Sequence, residues 1–161
     1  MITIGYIITA LIMALLPGTG VIFTISTGLV YKSKYGIAAA IGCTLGIIPH
    51  IIACILGLSA IMQLSAEVFT LIKYAGVLYL CYLAVMTWKN AGTTITESDT
   101  CKGYFSTVRK GILLNLLNPK LTIFFLSFIP QYLPSGGENV TWDMILLSLI
   151  FMFITLVVFI G

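Results

Sequence analysis

Charge is scarce in this sequence. Of 161 residues, 8 are Lys or Arg and 5 are Asp or Glu, so 8% are charged, where a soluble domain carries roughly 25%. A chain this short leaves a large fraction of itself exposed, and 60% of its residues are hydrophobic. Such a chain cannot cover its apolar surface in water. Disorder, collagen-like repeats and nucleic-acid binding need a more polar or basic composition and are excluded with it. Reactive groups are few as well. There are 4 Cys and 1 His, with no CxxC and no cysteine–histidine cluster of metal spacing. Cys43, Cys54 and Cys81 fall in apolar runs and Cys101 in a polar stretch, so they read as small fillers. No Ser/His/Asp arrangement, paired carboxylates or phosphate-binding loop is visible. No enzyme, metal or cofactor is expected. What fills the space is apolar, at a mean hydropathy of +1.13, and the chain reads as an all-α integral membrane protein.

The charges divide it. None occurs from Met1 to Tyr31, from Tyr35 to Ala66 or from Tyr74 to Trp88, and apolar character resumes over Gly111–Leu133 and from Met144 onward. A spanning helix needs about 20 apolar residues, so five transmembrane helices are expected. Leu71, Ile72 and Lys73 join the third, with Lys73 and Lys89 snorkelling at its ends. A transmembrane β-barrel is excluded, because no run alternates strictly.

Orientation follows from the connections. Lys32 and Lys34 lie in the first; Lys89, Lys102, Arg109 and Lys110 outweigh Glu97 and Asp99 in the third. Short basic loops stay cytoplasmic, which puts the N-terminus outside. A secretory signal is the competing reading, and Met1–Tyr6 has no basic n-region for it.

The first run is too long. As one helix, Met1–Tyr31 would measure about 46 Å at 1.5 Å per residue, against a hydrocarbon core of about 30 Å. Pro17-Gly18-Thr19-Gly20 interrupts it, and Asn118-Pro119-Lys120 interrupts the fourth run in the same way. Three spans separate the two prolines, an odd number, so the halves around them would face opposite ways. Broken helices at matching places in inverted halves mark a transporter's midplane site. Two ordinary proline kinks are the alternative.

Two ionisable residues bear on that choice. Lys120 lies ten positions beyond Lys110, about 15 Å along a helix, near the bilayer centre, where a lysine costs roughly 2.5–3.5 kcal/mol to insert. The other reading is a snorkelling side chain on a shallower segment. Asn115 and Asn118 add polar atoms that bond freed carbonyls or glue helices together. His50, after Pro49, is either a proton carrier, with an ordinary pKa near neutrality, or a hydrogen-bonding residue. It shares a helix face with Gly42 and Gly46, a GxxxG pair that admits a close helix and offers a contact for a homo-oligomer.

Gly111-Ile-Leu-Leu-Asn-Leu-Leu-Asn-Pro-Lys-Leu-Thr-Ile-Phe-Phe125, followed by Pro130-Gln131-Tyr132, resembles the fourth-span signature of the LysE/RhtB family of amino-acid exporters. Leu15-Leu-Pro-Gly18 is similar to that family's first-span motif, Gly42–Ser59 to its second span and Lys73–Ala84 to its third. The third place of the first motif, usually proline, is Thr19 here. The resemblance implies a six-helix fold of 3+3 inverted repeats with helices 1 and 4 broken. Residues 1–90 would be the first repeat, 91–110 a cytoplasmic loop, and 111–161 an incomplete second repeat. The sixth helix is then missing, and the chain is expected to be a fragment.

The same resemblance implies export of amino acids across the bacterial inner membrane by proton antiport. Pro17, Gly18, Thr19, Asn115, Asn118, Pro119 and Lys120 are the expected substrate-binding residues, and His50 the proton-coupling candidate. With no acid inside the runs to pair a cationic side chain, a neutral amino acid such as threonine, homoserine or leucine is expected. The partners are then this cargo, protons and membrane lipid. Two rivals stand beside this reading. One is a non-transporting scaffold or inactive fragment, for which Lys120 is a needless cost. The other is a thiol–disulfide carrier, which would need cysteines beside the breaks, where there are none.

Overall fold

In the computed structural model of the chain, the described residues are 3–61, 103–133 and 139–161, with scattered helical positions between 68 and 89. Most of the third expected span, over 71–88, lies outside them. Every element among the described residues is helical: α1 (Ile4–Leu15), α2 (Thr19–Tyr31), α3 (Ser33–Leu45), α4 (Ile48–Ile61), α5 (Tyr104–Leu116), α6 (Pro119–Ser127), a 3₁₀ turn (Ile129–Tyr132) and α7 (Val140–Ile160).

Ser33–Gly57 and Val140–Ile160 are each long and apolar enough to cross a membrane, and two bent pairs add up to two more spans if each pair is one. Between α1 and α2 the chain turns by 56°, and between α5 and the helical segment from Pro119 to Tyr132 by 53°. Proline causes both bends. Its ring pushes the preceding residue out of the helical region, and Leu16 (ψ 123°) and Asn118 (ψ 106°) are both extended. A third interruption was not expected. Gly46 and Ile47 separate α3 from α4, and the turn tightens to three-residue hydrogen bonds, Ile47 N to Thr44 O and His50 N to Ile47 O. Pro49 supplies the reason, since it cannot donate to the turn before it.

Helix α5 starts at Tyr104, ahead of the apolar run that begins at Gly111. Residues 104–110, expected in the polar connection, are therefore helical. A helix carries a charged side chain at a membrane edge when its head has somewhere to go. Lys110 places its ammonium 5.7 Å from the centre of the Phe23 ring.

The core joins α1, α4, α6 and α7 around Tyr6, Phe124, Phe125 and Phe151, all essentially inaccessible. Phe124 and Phe151 have ring centres 4.6 Å apart. Tyr6 brings a hydroxyl into this apolar setting and donates it to Leu147 O at 2.6 Å, as a buried tyrosine must. Leu29, Leu56, Leu117 and Phe153 point outward, largely exposed, which suits lipid.

A second packing seam joins α3 to α5. A Cβ added to Gly42 would collide with the backbone of Val108, and one on Gly46 would lie 2.7 Å from Ile112 O. The Gly42–Gly46 face expected to offer an oligomer contact is thus covered from within the chain: α5 occupies it, because two glycines one turn apart let its backbone come that close.

Candidate functional site

The site grows out of what the two prolines remove. In a continuous helix the N–H of residue 17 would donate to Met13 O, and that of residue 119 to Asn115 O. Proline has no N–H. Each carbonyl is left without its helical donor in a setting without water, where an unpaired backbone group costs several kcal/mol.

Each receives an ionisable side chain from the other part of the sequence, Asn115 O in addition to the backbone bond it accepts from Asn118 N at 3.0 Å. Lys120 Nζ donates to Met13 O at 2.9 Å and to Leu16 O at 2.9 Å. His50 Nε2 lies 3.0 Å from Asn115 O. A carbonyl only accepts, so Nε2 carries the proton in that bond. The other ring nitrogen, Nδ1, meets Thr122 Oγ1 at 3.2 Å. Thr122 was not among the expected residues; it lies one turn after Asn118, on the α6 face toward α4.

The asparagines link the two breaks. Asn118 caps α6, its Oδ1 accepting from Lys120 N at 3.1 Å, while its Nδ2 donates to Asn115 Oδ1 at 3.4 Å. Asn115 Nδ2 donates to Cys43 O at 2.7 Å. The backbone partners fix which way each amide points. Gly46 clears the way, since a Cβ there would lie 2.8 Å from Asn115 Cβ.

Around these groups lies a narrow cleft, with room for about one water as it stands. Gly18, Asn115, Asn118, Lys120 and Thr155 contribute to its polar lining; Met13, Leu121, Phe151 and Phe159 form much of the apolar part. Gly20 is needed for this shape, because a Cβ there would sit 2.7 Å from Asn115 Oδ1 and 3.1 Å from Phe159. The N-terminus of α2 opens beside it. Its N-cap is Gly18, with no side-chain cap, so the first N–H groups of α2 are unspent and carry the positive end of the helix dipole. Lys120 adds a full charge. Its ammonium has three donors, and the two carbonyls take two.

Of the expected residues, Gly18, Asn115, Asn118 and Lys120 line the cleft, and His50 reaches it through Asn115. Pro17 and Pro119 are exposed and act through the hydrogen bonds they delete. Thr19 is exposed on the first turn of α2 and is not part of the lining; in a helix, the side chain next to Gly20 points about 100° away from it. Thr155, Phe151 and Phe159 were not foreseen. The only trace they leave in the sequence is a polar residue flanked at spacing four by two aromatics in an apolar helix. No group of three or more potential metal ligands occurs among the described residues.

The LysE type translocator family matches residues 11–161. An "Uncharacterized membrane protein" of Vibrio cholerae serotype O1 is 34% identical over 84% of this chain and 67% of its own length. A "Homoserine/homoserine lactone efflux protein" of Salmonella typhimurium is 29% identical over 80% of this chain and 63% of its own length. A "Leucine efflux protein" of an Enterobacter species is 26% identical over 97% of this chain and 77% of its own length. The chain thus spans between 63% and 77% of these relatives. No solved structure matches it. The broken helices, the half-buried lysine between them and the match over nearly the whole chain agree: this is a membrane protein of the LysE type translocator family, whose members are transporters and not enzymes.

Proposed function

We propose that this protein exports neutral amino acids from the bacterial cytoplasm by proton antiport. The observation that carries the reading is Lys120, held across the first break by two carbonyls while it lines a cleft at an uncapped helix N-terminus. A cation with a donor to spare beside unspent N–H groups is a seat for a carboxylate. Asn115 and Asn118 offer amide groups to the rest of the zwitterion. No acidic side chain lines the cleft among the described residues, which favours a neutral cargo over a cationic one. Relatives named for homoserine and leucine efflux support the same class.

In this reading His50 is the proton site. Thr122 can either donate to Nδ1 or accept from it, so a proton taken up from the outer side at Nδ1 is accommodated by the turn of one hydroxyl while the ring keeps its bond to Asn115 O. Residues 1–90 and 111–161 then form inverted halves of a six-helix transporter in the inner membrane, with the N-terminus outside. Rocking of one half against the other alternates access to the cleft.

The test is amino-acid release from cells loaded with dipeptides and expressing the complete reading frame. Faster release of neutral amino acids, abolished by a protonophore, is expected. No faster release of any amino acid, with the protein present in the membrane, overturns the export reading; release indifferent to the protonophore overturns the antiport.

A further inference from the structure

We propose that Thr155 selects the cargo: its hydroxyl receives the side-chain hydroxyl of a neutral, hydroxylated amino acid whose carboxylate sits at Lys120 and the α2 N-terminus. The proposal rests on the export reading above. It starts from an imbalance. Thr155 is 3% exposed, and its Oγ1 is the one buried side-chain polar atom among the described residues that has no hydrogen-bond partner.

Other buried helical threonines show that this is not forced by the helix. Thr24 donates to Gly20 O and Thr44 to Ala40 O, both at 2.8 Å, and Thr107 to Gly103 O at 3.0 Å. Each uses the carbonyl one turn back, a bond open to threonine in a helix. Thr155 forgoes that bond and lines the cleft instead. A buried hydroxyl left unpaired is destabilising; this one is closed off in the cleft as it stands, and a ligand that widens the cleft beside Thr155 would bring the missing partner.

Its surroundings say which part of the ligand. The carboxylate seat belongs to Lys120 and the start of α2. Thr155 comes from α7, between Phe151 and Phe159 one turn to either side, and both of these line the same cleft. The α7 contribution is thus apolar with a single hydroxyl in it, which fits an aliphatic side chain carrying one hydroxyl. A site built to bond a hydroxyl discriminates against the analogue lacking it, because its own polar group is then left unpaired.

Efflux by Thr155→Val and Thr155→Ser variants of the complete protein, scaled to the amount in the membrane, tests this with two isosteric pairs, threonine against valine and homoserine against norvaline. The parent protein should favour the hydroxylated member of each pair. Thr155→Val should lower export of that member by about tenfold and leave its isostere unchanged or faster, while Thr155→Ser keeps the preference. Equal loss for all four amino acids assigns Thr155 to the common backbone or to packing and overturns the proposal, as does an unchanged preference. A parent protein that exports leucine but none of the four overturns this proposal and leaves the export reading standing; one that releases no amino acid at all defeats the export reading itself, a result distinct from the others.

Discussion

The two proline breaks lose the same hydrogen bond and replace it differently. At the second, the chain largely repairs itself: Asn118 sits at the N-cap, bonds Lys120 N, and its own N–H turns back to Asn115 O at 3.0 Å. Pro119 occupies the first helical position, where a missing N–H does no harm to the helix that follows. At the first, glycine stands at the N-cap and offers no side chain, so the repair is borrowed from Lys120. The closed break is a support. The open one is a binding site, because the groups it leaves unspent are all donors.

Replacing Lys120 by alanine should break this division most severely. Two carbonyls would lose their donor and the cleft the one charge among its described lining residues, so efflux should vanish while the protein is still found in the membrane. Normal transport by Lys120→Ala would remove the lysine from the site. Gly18→Asn makes the first break resemble the second. An asparagine cap would satisfy the α2 N-terminus internally and crowd Lys120 Nζ, which lies 3.2 Å from where a Cβ would stand. Efflux should fall by at least tenfold with thermal stability retained; undiminished efflux would show that the open N-terminus holds nothing.

Smaller effects sharpen the comparison. His50→Asn keeps a donor for Asn115 O but cannot titrate, so residual transport should lose its dependence on the proton gradient. Retained dependence would make His50 a brace alone. Gly20→Ala forces Asn115 or Phe159 to move, and overpacking of this kind costs about 1–3 kcal/mol; a lowered melting temperature in detergent and slower efflux are expected together. Asn118→Ala removes a cap worth about 1 kcal/mol. It should lower the melting temperature by less than Gly20→Ala, and a larger drop would mean that the second break depends on its cap more than its other bonds suggest.

The breaks themselves were legible, since proline acts locally: it deletes one donor and restricts one neighbour wherever it stands. The interruption before Pro49 obeys the same rule, yet the run of apolar residues hid it. Gly42 and Gly46 were legible as a close-packing face, but their partner was not. The closest approach is made by Val108 and Ile112, each 66 positions away on α5, and no local pattern names a partner at that distance. Thr19 was expected in the site because it adjoins Pro17-Gly18, and helical rotation carries it out of the lining. Thr155 was invisible, one threonine in an apolar helix, until Thr24, Thr44 and Thr107 proved to bond the carbonyl one turn back.

By itself, then, the sequence determined the membrane class, the places where helices must bend, and the identities of a lysine and a histidine too costly to be ornamental, because hydropathy and proline geometry depend on near neighbours alone. Only the tertiary structure decided that the lysine mends the first break, that the histidine braces a second break already closed by its own cap and backbone, which break stays open, and which cleft residue carries a buried hydroxyl without a partner. An orphaned carbonyl sets a need that a single helix cannot meet, and which side chain meets it depends on what the packing of distant helices brings within hydrogen-bond reach.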